Sequence, residues 1–104
     1  MLTRKRPLRL YVLSRNDLET TYRGVQGIHA VASFYEEGGH PEWHNGTVVQ
    51  LVVRNEQELR YWAEKLKMRN KKFSHFLEPD LNHQMTAIAC VDTGEMFSKL
   101  PLAK

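Results

Sequence analysis

The chain has 104 residues, 41% hydrophobic and 26% charged, with 15 lysines and arginines against 12 aspartates and glutamates. That composition suits one ordinary globular domain, able to bury a modest core without metal or disulfide staples. One cysteine excludes an internal disulfide framework, no apolar run approaches the ~20 residues of a membrane span, and a net charge of +3 permits a phosphate-bearing partner without requiring one.

From the amino terminus, "MLTRKRP" reads as a basic arm over residues 1–7. A charged start before an apolar run also opens a signal peptide. Here Arg9 interrupts the run and no small-residue cleavage site follows, so a strand is expected instead. "RLYVLS" (residues 9–14) alternates and is rich in strand formers. The polar loop "RNDLETT" leads into a helix over residues 22–36, with Val25, Ile28, Ala32 and Tyr35 at helical spacing as the expected core stripe. Gly38 and Gly39 end it, and the following loop closes on the turn pair Asn45 and Gly46. "TVVQLVV" (residues 47–53) is nearly all apolar, as a central strand covered on both faces would be. Asn55 then caps a second helix, with Glu58 three residues on and Leu59, Trp62, Ala63 and Leu66 as its buried stripe. Residues 73–77 and 85–91 read as the third and fourth strands, with the loop "EPDLNHQ" between them. A short helix is expected over residues 94–100. Cys90, in the apolar run "MTAIACV", is expected to be a buried and inert thiol, which favours a reducing, cytoplasmic setting.

Strands that alternate with helices call for a sheet covered on both faces. The expected architecture is therefore α/β: a single three-layer domain over residues 1–104, with a four-stranded mixed sheet and helices on both faces, in the order β-α-β-α-β-β-α. In such sheets, sites gather at strand carboxyl ends beside helix amino termini. "RNDLETTYRGVQ" occupies a boundary of that kind.

The chemistry-bearing residues concentrate around it. On the first helix Arg23, Gln26, Gly27 and Ala30 share one side, with His29 beside Gln26 and the expected core stripe roughly opposite. Small residues there let a backbone or a ligand come close, and a phosphate at the helix start is one candidate. Close packing on the sheet is the other. His29 has the ordinary chemistry of a general base, and equally that of a histidine at the edge of a core. Glu78 and Asp80 follow the third strand and Thr86 opens the fourth, a pair of carboxylates near a hydroxyl. Asp17 suits a turn. The five histidines and Cys90 show no zinc-ligand spacing, so neither a metal nor another cofactor is expected. Two basic segments stand out: "RKRPLR" near the start and "KLKMRNKK" over residues 65–72, the latter carrying Lys67, Arg69, Lys71 and Lys72.

"YVLSRNDLETTYRGVQGIHAVASFY" resembles the opening of the archaeal/eukaryotic-type peptidyl-tRNA hydrolase family, in which a strand ends in R-x-D-L and a helix carries Q-x-x-H-A. The similarity runs on through "NGTVVQLVVRNEQELRYWAEKLKM", "FSHFLEPD" and "MTAIAC", over about residues 8–100. The resemblance implies metal-independent hydrolysis of the ester that links a peptide to tRNA. It implies Arg23, Gln26, His29, Glu78 and Thr86 as catalytic positions, and Asp17, Asp80, Lys67, Arg69, Lys71 and Lys72 as substrate-binding ones. Three features depart from the family pattern: Arg23 stands in for a lysine, Glu78 for an aspartate, and the loop between strands three and four lacks a G-x-T-Q segment. The hydrolase is the leading expectation, and the missing G-x-T-Q segment is the feature that favours the alternative, a catalytically inactive module that binds RNA or protein on the same fold. The expected partner is tRNA or another phosphate-bearing ligand, with no membrane and a possible homodimer.

Overall fold

The computed structural model describes residues 6–44 and 46–104. Residues 1–5 of the expected basic arm and Asn45 of the expected turn pair lie outside them. The chain builds β1 (Arg9–Arg15), α1 (Thr20–Glu36), β2 (Val48–Val53), α2 (Glu56–Met68), β3 (Phe73–Glu78) and β4 (Gln84–Asp92). The sheet is mixed, in the order β2-β1-β4-β3, with β1 parallel to β2 and β4 antiparallel to both β1 and β3. β1, β2 and β3 therefore all run one way. Their carboxyl ends share one rim of the sheet with the start of β4, and both helices begin at that rim.

Alternation along the strands divides the core in two. Tyr11, Leu13, Ile88 and Cys90 pack with Leu59, Trp62, Ala63 and Leu66 of α2. Leu10, Ala87, Ala89 and Val91 pack with Ala30 and Phe34 of α1. α2 follows its sequence signals closely: Asn55 accepts from the Glu58 N–H at 3.0 Å, and its four expected apolar residues are the buried ones. Cys90 is fully buried, and burial pushes its thiol up to about 12. No helix among the described residues is long and apolar enough to cross a membrane.

Three expectations are corrected. The buried face of α1 is Arg23, Gln26, Gly27, Ala30 and Phe34, whereas Val25, Ile28 and Tyr35 of the expected stripe are exposed. Small residues decide the choice, because Gly27 brings the helix so close that an added Cβ would sit 3.1 Å from Val12 Cγ1. β2 lies at an edge of the sheet, where Val48 is half exposed. Its outer side is partly closed by the carboxyl-terminal segment, in which Leu102 bridges Leu51 and Ala103 N–H donates to Gln50 O at 2.9 Å. The expected last helix shrinks to a 3-10 turn, Glu95–Phe97, because Pro101 steers the chain away from helix and into that pairing.

The turn before it depends on one glycine. Gly94 has φ +94°, and a Cβ there would run into the Tyr11 hydroxyl. Gly94→Ala is expected to cost about 3 kcal/mol, the sum of a strained backbone and an overpacked contact. A urea midpoint that moves by the equivalent of less than about 1 kcal/mol would contradict this.

Candidate functional site at the carboxyl rim of the sheet

Three sequence-distant side chains meet at the rim. Gln26 is 1% exposed, Thr86 0% and Glu78 8%. An ionised carboxylate only accepts hydrogen bonds, so the Gln26 amide presents its NH₂ to Glu78 and its carbonyl to Thr86. Gln26 Nε2 donates to Glu78 Oε2 at 2.8 Å, and Thr86 Oγ1 donates to Gln26 Oε1 at 2.7 Å. The other oxygen of Glu78 accepts the Asp80 N–H at 3.1 Å. The Asp80 N–H first, then the Gln26 amide, and then the charge of His29 hold the Glu78 carboxyl below the usual glutamate range, against the opposing push of burial.

His29 lies on the exposed side of this group. Its ring stacks on Phe76 of β3, with centroids 4.3 Å apart and planes 9° from parallel. The stack fixes the plane of the imidazole, and neither ring nitrogen has a hydrogen-bond partner among the described residues. The arrangement is thus an ionised carboxylate held by the Gln26 amide and the Asp80 N–H, with the amide itself fixed by the Thr86 hydroxyl, beside an accessible imidazole.

Tyr22 belongs to the same neighbourhood and was missed in the sequence, where it served only as the helix start. Burial raises its phenol, as do the charges of Glu78 and Asp80. Tyr22, Gln26 and His29 fall at i, i+4 and i+7, one stripe of α1, and that spacing was the available signal.

Other expected site residues serve elsewhere. Arg23, 6% exposed, donates to Asn16 Oδ1 at 2.9 Å and to the Lys104 main-chain oxygen at 2.7 Å, and has no bond to Gln26, Glu78 or Thr86. A phosphate at the start of α1 meets a competitor: the Glu19 carboxylate already accepts the Thr21 and Tyr22 N–H groups at 3.1 and 3.0 Å. Asp17 is gripped by Arg15 through two bonds of 2.9 and 2.8 Å, which lower its carboxyl. Arg15 in turn donates to Gln84 Oε1 at 2.8 Å, tying the end of β1 to the start of β4. The "RND" motif is therefore a clamp that holds the rim together.

The basic segment lies at the opposite rim. Lys71 and Lys72 precede β3 and Glu78 ends it, a separation of roughly 17 Å at the rise of a strand. Lys71 donates to the buried Asp92 at 2.8 Å, Lys72 to Gly39 O at 2.6 Å, and Lys67 pairs with Glu64 at 3.4 Å. Arg69 has no side-chain partner among the described residues. No group of three or more potential metal ligands occurs among them.

The same fold recurs in a solved structure, that of Atu0240, a protein of unknown function from Agrobacterium tumefaciens strain C58. The two superpose with a TM-score of 0.69 at 12% identity, over 93% of this chain and 98% of that one. At that identity the likeness concerns the fold alone. No family model matches the chain, and no curated protein matches it.

Proposed function

We propose that the protein is a peptidyl-tRNA hydrolase or a close relative, a metal-independent esterase acting on the bond between a peptide and the terminal ribose of tRNA. The observation that supports this reading is the meeting of Gln26, Glu78 and Thr86 beside the accessible ring of His29. A water between Glu78 and His29 is the nucleophile. Glu78 orients it, and His29 takes its proton as the water oxygen bonds to the ester carbonyl carbon. The proton then passes to the ribose oxygen as the carbon–oxygen bond breaks. Gln26 and Thr86 position the Glu78 carboxylate, and the Tyr22 hydroxyl supplies a donor to the developing oxyanion. Arg69 and Lys67 at the far rim meet phosphates of the tRNA, a span that only a macromolecular substrate bridges. The buried Cys90 thiol suits a cytoplasmic setting.

A second reading, a binding module without activity, is favoured by one observation: Arg23 turns to Asn16 and Lys104, so it brings no cation to Glu78. The two readings separate on incubation of the protein with a peptidyl-tRNA in excess chelator. Hydrolysis predicts release of the peptide at an undiminished rate. An intact ester on bound tRNA would leave only the module.

A further inference from the structure

A second hollow opens at the same rim, on the side of α2. Two adjoining cavities of about 560 and 390 Å³ share Arg54, Glu58 and Leu100 in their walls. Tyr61 and Trp62 line the larger, and Asn16 and Lys99 the smaller. Each volume falls within the ordinary range of small-molecule sites. The place is also favoured by topology. β1 and β2 are adjacent and parallel, and the helices that follow them pack on different core clusters, so their carboxyl ends form a switch point where open α/β sheets bind ligands.

The chemistry of the walls is specific. Tyr61 is 57% exposed, a large ring with no place in the core. The Lys65 ammonium stands 5.7 Å from its centroid, and the Trp62 ring meets it nearly perpendicular at 5.6 Å, so the two rings together form an aromatic wall of the larger hollow. Arg54 uses its Nε on Glu58 at 2.6 Å, which neutralises that carboxylate and leaves both terminal guanidinium nitrogens without a partner among the described residues. Lys99 has no ion-pair partner among them. The far wall is held in place by the pairing of the carboxyl-terminal segment with β2, including Val52 N–H to Pro101 O at 3.0 Å. An exposed aromatic ring in the larger cavity, with Arg54 in the shared wall and Lys99 in the adjoining cavity, fits a flat ligand that carries negative charge.

We propose that this hollow binds a nucleotide, with the base stacked on Tyr61 and the phosphate between Arg54 and Lys99. The site is separate from the Glu78 group: three strand spacings, about 14 Å along the sheet, lie between β2 and β3. It does not depend on the hydrolytic reading.

Calorimetric titration with adenosine monophosphate and with a five-adenosine oligoribonucleotide tests it at low salt. At least one probe is expected to bind the wild type saturably. Tyr61→Ala should weaken binding about 10-fold or more, and Tyr61→Phe by no more than about 2-fold, since stacking needs only the ring. Lys99→Gln should reduce the salt dependence by about one phosphate contact. His29→Ala should bind as the wild type does, which separates this site from the hydrolytic one. Binding of the mononucleotide points to a free nucleotide, and binding of the oligonucleotide alone points to a single-stranded end; both uphold the site. Failure of both probes to bind, or wild-type affinity in Tyr61→Ala, would overturn it. Should Tyr61→Ala melt early, wild-type affinity and salt dependence in Lys99→Gln would overturn it instead.

Discussion

Phe34→Ala is expected to destabilise the domain by about 3–5 kcal/mol, while Ile28→Ala on the same helix changes stability by no more than about 0.5 kcal/mol. Phe34 is 1% exposed and packs among Leu10, Ala87, Ala89 and Val91, with the Lys72 ammonium 5.6 Å from its ring centroid. Its removal opens a cavity that strands fixed by ladders on both sides cannot close. Ile28 is 69% exposed and has little to lose. For a domain of this size, the first change should lower the melting temperature by roughly 12 °C or more, and the second by less than about 4 °C. Equal losses in the two variants would mean that α1 turns its other face to the sheet. Gln26 would then point away from Glu78, and the site would dissolve with it.

That orientation is where reading the sequence failed, for a physical reason. Counting apolar residues at helical spacing assumes that the buried face of a helix is its apolar face. α1 instead buries Gln26 and Arg23, which distant partners satisfy: Glu78 and Thr86 for Gln26, and the Lys104 main-chain oxygen, together with the nearby Asn16, for Arg23. Buried polar groups with complete hydrogen bonding are well tolerated, but their partners lie 52, 60 and 81 residues away along the chain. Local pattern cannot display them. β2 misled in a related way. Its apolar run matches a central strand, yet the cover on its outer side comes from residues 101–103. Where local signals suffice, the reading held, as in the four strands, the Asn55 cap and the stripe of α2. Resemblance to the hydrolase family pointed to Gln26, His29, Glu78 and Thr86, and the fold brings those four together. It pointed to Arg23 and Asp17 as well, and both are occupied by internal bonds.

His29→Ala is expected to slow peptide release from peptidyl-tRNA by about 10²–10⁴-fold, the usual contribution of a positioned acid–base group. The fold should survive the change. The imidazole is exposed, and the lost stack on Phe76 is worth about 0.5–1.5 kcal/mol. The bonds of Gln26 to Glu78 and of Thr86 to Gln26 do not involve the imidazole and are kept. The decisive measurement is the single-turnover rate of peptide release by wild type and by His29→Ala, both at saturating protein and both shown to be folded. Rapid release by the wild type, with a loss of about 100-fold or more in the variant, is the predicted result. A variant as fast as the wild type would contradict the assignment of His29 as the base. An ester left untouched by the wild type would contradict hydrolysis at this site altogether.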